Sequence, residues 1–72
     1  MNALPPAADA EVQDWSRFRR GQHVVLHHAT RPLLSGVLDM RTDDASVVWV
    51  LLNDGGGRRL FHRADGYRLR HA

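Results

Sequence analysis

The short stretch Phe61-His62-Arg63 combines an aromatic ring with an imidazole and a guanidinium group. An aromatic ring can stack on an unpaired base, and a neighbouring arginine can bind a phosphate. These three residues are therefore a candidate nucleic-acid contact. The alternative is that Phe61 belongs to the core and that His62 and Arg63 face solvent.

A second candidate consists of four arginines in the last fifteen residues: Arg58 and Arg59, followed by Arg68 and Arg70. Guanidinium groups bind phosphates through paired hydrogen bonds. We expect the last two strands to pair, which would place their outward arginines side by side as an anion-binding patch. A solvated face without a ligand is the alternative.

A third group, Arg17, Arg19 and Arg20, follows an expected N-terminal helix. These arginines are placed to form a basic rim for a nucleic acid, or simply to stabilise the negative end of the helix dipole. The predicted nucleic-acid-binding residues are thus Arg17, Arg19, Arg20, Arg58, Arg59, Phe61, His62, Arg63, Arg68 and Arg70.

Metal binding is not indicated, although His23, His27 and His28 lie close together in the sequence. Adjacent residues of a strand point to opposite faces, so His27 and His28 cannot easily share an ion. His23 and His27 share a face, but no cysteine or carboxylate accompanies them, and a zinc site needs three or four converging ligands. We expect no metal and no cofactor.

Catalysis is not indicated either. Asp39, Asp43 and Asp44 have no nucleophile or histidine at a recognisable spacing, so acidic turns explain them better than acid–base chemistry. The glycine-rich run 54–57 follows a strand, opens no helix and lacks the lysine of a phosphate-binding loop. We expect that the protein is not an enzyme.

The charge distribution favours a polyanionic partner. All ten basic residues are arginines, and all of them follow Ser16. From Arg17 onward these ten arginines face five aspartates, a balance of +5. Such an excess attracts RNA or another polyanion. The alternative explanation for the missing lysine is a GC-rich genome that encodes arginine wherever a basic residue is needed for solubility.

The length of 72 residues allows one domain with a small core. We assign residues 1–8 to a disordered arm and residues 9–72 to the domain. The first six residues have neither the basic nor the apolar region of a signal peptide, and no apolar run approaches the about 18 residues of a membrane span. We therefore expect a soluble cytoplasmic protein without a membrane partner. The small core favours either oligomerisation or unusually tight packing.

The apolar pattern predicts one short helix and then five strands. Asp9 can cap a helix that runs to about Phe18, in which Val12, Trp15 and Phe18 form a narrow apolar stripe and which Gly21 ends. Alternating apolar residues between turn residues predict strands over about residues 23–28, 33–41, 46–52, 58–63 and 67–70.

Two features of these strands indicate a barrel. Gly36 interrupts the alternation of the second strand, in which Leu38 and Met40 should share a face, and a mid-strand glycine marks a sharp bend or a close backbone approach. Residues 46–52 are apolar on both faces, so this strand is central or packs one face on the helix, and Trp49 is expected in the core or at a subunit contact. The predicted fold class is an all-β small barrel, a short N-terminal helix followed by five strongly bent antiparallel strands, Sm-like or SH3-like.

Several segments resemble the bacterial Sm-like RNA chaperone Hfq. Residues 12–26 are similar to its passage from helix to first strand, residues 34–38 to its second strand with the bending glycine, and residues 48–53 to its third. Residues 61–64 resemble its Tyr-Lys-His signature, with the lysine and histidine transposed as His62 and Arg63, so its uridine pocket is not carried over intact. The resemblance covers about residues 12–70 and implies a homo-oligomeric ring in which strand four of one subunit pairs with strand five of the next.

The sequence therefore predicts a small, non-catalytic nucleic-acid-binding protein with a regulatory role, and it favours RNA over DNA as the ligand. The alternative is an SH3-like protein-interaction module, an adaptor that docks on a larger protein or nucleic-acid enzyme. An exposed apolar patch that includes Trp15 or Trp49 would favour the adaptor.

Overall fold

The structure, a computed structural model, describes residues 13–72. These residues form one five-stranded antiparallel sheet, with strands β1 (His23–His27), β2 (Leu34–Arg41), β3 (Val47–Leu52), β4 (Gly57–His62) and β5 (Arg68–His71). A short 3₁₀ helix, Arg63–Asp65, connects β4 to β5. The five predicted strands are confirmed, each to within one residue at either end.

The N-terminal helix is not supported in the part of the chain that the structure describes. Residues 13–18 contain a turn at 16–17 and no α-helix. The Asp14 carboxylate accepts the Ser16 N–H at 2.9 Å, a local bond that competes with helix formation. Trp15 and Phe18 are nonetheless buried, as the apolar stripe implied. Residues 9–12 of the predicted helix, and the arm predicted over 1–8, lie outside the described residues.

The strand order is β4-β3-β2-β1-β5, so β4 and β5 form the two edges of the sheet. Within the described residues these edges do not pair, and the sheet is open. The expectation that the arginines of the last two strands stand side by side is therefore wrong. The reason is that β5 pairs with β1, which is distant in sequence, and this leaves Arg58 and Arg68 on opposite edges.

The core lies on one face of the sheet and receives side chains from every strand. Successive residues of a strand point to opposite faces, so alternate positions of β3 and β5 enter the core. The segment before β1 adds two aromatic rings. The buried cluster consists of Trp15, Phe18, Val24, Leu26, Leu38, Ala45, Val48, Val50, Phe61, Tyr67 and Leu69.

Gly36 lies where β2 passes unusually close to β3. A Cβ atom at this position would collide with the carbonyl oxygen of Leu51 and would lie 2.9 Å from the Leu52 Cα. Both neighbours are backbone atoms of a paired strand, so they cannot move aside as a flexible side chain would. Of the two alternatives for this glycine, a sharp bend or a close backbone approach, the structure shows the close approach.

A β-bulge at Asp39 changes which side chains of β2 face solvent. Leu38 lies opposite Val50 and Met40 lies opposite Trp49, so Asp39 is left without a partner in β3. The extra residue breaks the alternation. Leu38 is buried, whereas Met40 faces away from the core. The expectation that Leu38 and Met40 share a face is wrong, because a bulge leaves no mark in the hydrophobic pattern.

The free edge of β5 is covered by the side chain of Gln13. Its amide nitrogen donates to the Leu69 carbonyl at 2.5 Å, and its amide oxygen accepts the Leu69 N–H at 2.6 Å. The Trp15 indole donates to the same oxygen at 3.0 Å. One side chain thus satisfies both backbone groups to which an added strand would bond in the middle of β5.

We expect Gln13→Ala to uncover this edge. The loss of two partly buried hydrogen bonds should lower the free energy of unfolding by about 1–3 kcal/mol and speed up exchange of the Leu69 amide hydrogen. Urea unfolding and hydrogen exchange measure the two effects. Gln13→Glu is the matched control with an intermediate loss, since a carboxylate accepts the N–H but cannot donate to the carbonyl. Equal Leu69 exchange in the wild type and Gln13→Ala would contradict the covering role.

Candidate functional site

The face of β2–β4 that points away from the core carries large apolar side chains. Met40, Trp49 and Leu60 form one row across three strands, because Trp49 pairs with Met40 on one side and with Leu60 on the other. Leu51 lies on the same face, two residues after Trp49. Met40, Leu51 and Leu60 are between 44% and 48% exposed, and Trp49 is partly exposed. We call Met40, Trp49, Leu51 and Leu60 the outer patch.

Trp49 does not belong to the core, contrary to one of the two expectations for it. Val48 and Val50 on either side of it are fully buried, and the period of two sends Trp49 to the opposite face. The sequence carried a signal for this, because β3 is apolar on both faces. We had expected a helix as one possible cover for the second face. No α-helix covers it among residues 13–72.

Arg58 lies across the outer patch and is held there by three contacts. Its Nε donates to Asp39 Oδ2 at 2.7 Å, its guanidinium carbon is 5.4 Å from the centroid of the Trp49 ring, and its Nη2 is 3.9 Å from the Met40 sulfur. A solvent-exposed ion pair contributes at most about 1 kcal/mol to stability, and an exposed cation–π contact about 0.5–1 kcal/mol. The main effect of these contacts is to fix the position of the Arg58 charge.

A basic depression of about 400 Å³ adjoins the outer patch. Two backbone hydrogen bonds hold the segment before β1 against the bulge: Gly21 N–H to the Leu38 carbonyl at 2.8 Å, and Leu38 N–H to the Gln22 carbonyl at 2.9 Å. The segment thereby places Arg19 and Arg20 beside Met40, which belongs to the outer patch and also lines the depression. The depression is lined by Arg19, Arg20, Asp39, Met40 and Arg41.

The residues predicted to bind nucleic acid do not form one surface. Arg19, Arg20 and Arg58 lie around Met40. Arg41, for which the sequence pattern gave no functional signal, lies beside them. The remaining arginines are distributed over other parts of the surface. Arg68 and Arg70 lie on the outer side of β5 next to His27, to which the Arg70 Nε donates at 3.2 Å. Arg17 lines a separate depression beside Phe18 and His71.

Phe61 is a core residue in this structure. It is 2% exposed, and its ring packs edge-on against Tyr67 with the centroids 4.9 Å apart. The guanidinium of Arg59 lies 5.3 Å from the same ring. Phe61 therefore has no open face on which a base could stack. A core position was the second of the two alternatives that the sequence left open for this residue. His62 is exposed and Arg63 is partly buried, so of the three side chains only that of His62 is fully open to solvent.

Asp44 serves the turn between β2 and β3. Its Oδ1 accepts hydrogen bonds from the Ser46 hydroxyl at 2.8 Å, the Ser46 N–H at 3.0 Å and the Thr42 hydroxyl at 2.8 Å. These contacts lower the pKa of Asp44 from 3.8 to about 2. The hydrogen bonds from Ser46 have the largest effect, followed by the bond from Thr42 and the positive charge of Arg63. This agrees with the assignment of Asp44 to an acidic turn.

We expect Asp44 to make the stability of the fold depend on acidic pH. Because its pKa is lower in the folded chain, the ionised carboxylate stabilises the fold above pH 3.8, and this contribution is lost as the pH falls to about 2. Asp44→Asn should therefore lose less stability than the wild type over that interval. Urea unfolding at its two ends measures the difference. An identical pH dependence in the two proteins would contradict the role of Asp44.

Among residues 13–72, no three histidine, aspartate or glutamate side chains converge so that they could hold a metal ion. The histidines contact other groups: His27 bonds to Arg70, and the His28 Nε2 is 2.9 Å from the Asp65 carbonyl oxygen. In the same part of the chain, no helix has the length and apolar character to cross a membrane.

Comparisons of this chain with known proteins found no match among protein-family models, curated proteins or solved structures. Function must therefore be inferred from the chemistry of the surface. Two parts of that surface carry such chemistry: the outer patch, with its exposed large apolar side chains, and the adjoining depression, with its arginines.

Proposed function

We propose that this chain is a protein-interaction module that binds a partner protein on the outer patch. The observation that carries the proposal is the row Met40–Trp49–Leu60, which crosses three strands on the solvent side of the sheet. An antiparallel sheet that covers a core with one face usually presents polar side chains on the other. An exposed apolar patch with a polar rim is typical of an interaction site.

The side chains of the outer patch are the types that dominate binding energy in protein interfaces. Tryptophan and arginine are enriched among the residues whose truncation weakens binding most, and methionine is enriched in interfaces generally. Arg58 is already held over Trp49 by its ion pair with Asp39. A side chain that is ordered before binding loses less conformational entropy when the complex forms.

The charges around the outer patch indicate the chemistry of the partner. Residues 13–72 contain ten arginines and six aspartates, and one ion pair, Arg58–Asp39, is formed among them. Arg19 and Arg20 lie on one border of the patch without an ion-pair partner in this part of the chain. A partner with an apolar centre and carboxylates around it would match this surface in both respects.

The fold type that we propose for the module is a small barrel, SH3-like or Sm-like. Support comes from the core cluster, which unites Phe61 of the edge strand β4 with Leu69 of the opposite edge strand β5. A sheet whose two edges contribute to one core must curl. A ring of the Hfq kind would have to displace Gln13 from Leu69, so we propose the module without the ring.

Affinity capture with matched variants tests the docking function. Met40→Ser/Trp49→Ser removes the centre of the outer patch, and Leu33→Ser removes an exposed leucine elsewhere on the surface. A nuclease-treated extract of the source cells is passed over each immobilised protein. We expect the wild type and Leu33→Ser to retain a protein that the double variant does not retain. This protein should also bind the purified wild type directly. A partner retained equally by all three proteins, or none at all, would contradict the proposal.

A nucleic acid is the second candidate ligand, and the basic depression favours it. Arg19, Arg20 and Arg41 converge there without an ion pair among the described residues. If these arginines neutralise phosphates of a fluorescent oligouridine, the logarithm of the association constant should fall linearly with the logarithm of the salt concentration. The slope should be about −0.7 for each phosphate neutralised. Arg19→Ala/Arg20→Ala should weaken binding, whereas Arg68→Ala/Arg70→Ala, on the β5 edge, should not. Salt-independent affinity, or equal loss in both variants, would exclude this site.

A further inference from the structure

We propose that the free edge of β4 receives an extended acidic segment of the partner protein as a sixth strand of the sheet. This inference rests on the proposed docking function and specifies how the partner binds. Its basis is the difference between the two edges: Gln13 covers β5, whereas no described residue bonds to the outward backbone groups of β4.

The pairing of β3 with β4 determines which backbone groups point to that edge. The Arg63 N–H donates to the Ser46 carbonyl at 2.8 Å, one step beyond the pair Val47–His62. Hydrogen-bonded and non-hydrogen-bonded pairs alternate along an antiparallel ladder. It follows that the N–H and C=O groups of Arg58, Leu60 and His62 point away from β3 and are available to an added strand.

The same counting applied to β5 agrees with what is observed there. The Ala72 N–H donates to the His23 carbonyl at 3.0 Å, one step beyond the pair Val24–His71. Alternation then directs the backbone groups of Leu69 to the free edge, and these are the groups that Gln13 binds. Gln13 therefore occupies the outward backbone groups of Leu69 on the β5 edge. On the β4 edge, the outward backbone groups of three residues have no partner among the described residues.

The charge at the β4 edge identifies the occupant as an acidic segment. Residues 57–63 contain Arg58, Arg59 and Arg63 and no carboxylate. Edge charges of one sign oppose pairing with a second copy of the same strand, because like charges would meet. A segment with carboxylates opposite Arg58 and Arg59 would instead pair with them, in addition to the backbone bonds that give strand addition its affinity.

The outer patch specifies one further position of the segment. Leu60 is the edge member of the row Met40–Trp49–Leu60. A residue of the added strand directly opposite Leu60 would continue this row, and an apolar side chain would bury part of it. The expected segment is thus extended, about five or six residues long, with an apolar residue next to acidic ones.

A displayed library of random ten-residue peptides provides the probe. After selection on the wild-type protein, we expect peptides in which acidic residues adjoin an apolar one. Leu60→Pro and His62→Pro should each weaken a selected synthetic peptide by about tenfold or more, because proline removes an N–H that points to the edge while leaving the ladder with β3 intact. Leu60→Ala and His62→Ala are the matched controls, because they lose the same side chains but keep the N–H, and each should bind the peptide clearly more tightly than the proline variant at the same position.

A second measurement applies even if a proline variant fails to fold. In the wild type, the peptide should protect the amide hydrogens of Arg58, Leu60 and His62 from exchange and leave that of Leu69 unchanged. The absence of such protection, or a library that yields no binder, would overturn the proposal. So would a concentration-dependent dimer that Leu60→Pro abolishes, since the occupant would then be a second copy.

The failure of this inference can be distinguished from the failure of the docking function. Peptides that lose affinity for Met40→Ser/Trp49→Ser but bind both proline variants normally would leave the outer patch as the docking site and refute strand addition. Peptides that bind every variant equally would refute both.

Discussion

Gly36→Ala is expected to lower the free energy of unfolding more than Gly55→Ala does. The added methyl group would collide with the carbonyl oxygen of Leu51, and the backbone on that side cannot give way without breaking the pairing of β2 with β3. Overpacking of this kind costs about 3 kcal/mol or more where backbone must move. The total stability of a chain of this length is about 4–10 kcal/mol, so the variant should lose a large fraction of it.

Gly55→Ala is the matched control for Gly36→Ala. Gly55 has a φ of 78°, which an alanine adopts at a cost of about 1–2 kcal/mol, but a Cβ there has no neighbour within 4 Å. Urea unfolding followed by circular dichroism should therefore show a clearly smaller loss for Gly55→Ala. A Gly36→Ala protein as stable as Gly55→Ala would contradict the close approach of β2 and β3.

Trp49→Ala is expected to weaken partner binding strongly while leaving the fold intact. Trp49 lies on the outer face, where its contact with Arg58 contributes about 0.5–1 kcal/mol to stability. Truncation of a central tryptophan in an interface commonly costs at least 2 kcal/mol of binding energy, which is about 30-fold in affinity. The partner identified by capture should therefore bind Trp49→Ala at least that much more weakly.

The other tryptophan provides the contrast for this prediction. Trp15 is fully buried, so Trp15→Ala should destabilise the fold by about 3–5 kcal/mol. Calorimetric titration and thermal unfolding of both variants measure the two effects. If Trp49→Ala were the less stable of the two, or if it bound the partner as the wild type does, the placement of Trp49 in the outer patch would be wrong.

The strands could be predicted because their signals are local. Alternation and turn residues located all five, and three glycines with positive φ angles lie at or beside the connections that follow β3 and β4: Gly55, Gly57 and Gly66. The N-terminal helix was predicted from the apolar spacing of Trp15 and Phe18. Both side chains are buried, but the backbone that carries them is irregular, and the Asp14 carboxylate accepts a hydrogen bond from the Ser16 N–H. A three-residue apolar spacing predicts that these side chains are buried, but it does not determine the conformation of the backbone that carries them.

The site was predicted less well because it depends on partners that are distant in sequence. The sequence left Phe61 as either a stacking ring or a core residue, and Trp49 as either a core residue or a subunit contact. In the structure Phe61 is buried and Trp49 faces outward. Which face of β3 meets the core is decided by the whole sheet. The bulge that turns Met40 outward and the pairing of β5 with β1 are also long-range features.

Nuclear magnetic resonance of the two tryptophan indoles, during titration with the captured partner, tests the central claim most directly. The Trp15 indole is buried and bonded to Gln13, so its signal serves as an internal reference. We predict that the Trp49 indole signal and the amide signals of Met40, Leu51 and Leu60 shift, while the Trp15 indole signal stays in place. Shifts confined to the arginines of β5, with the Trp49 signal unchanged, would contradict docking on the outer patch.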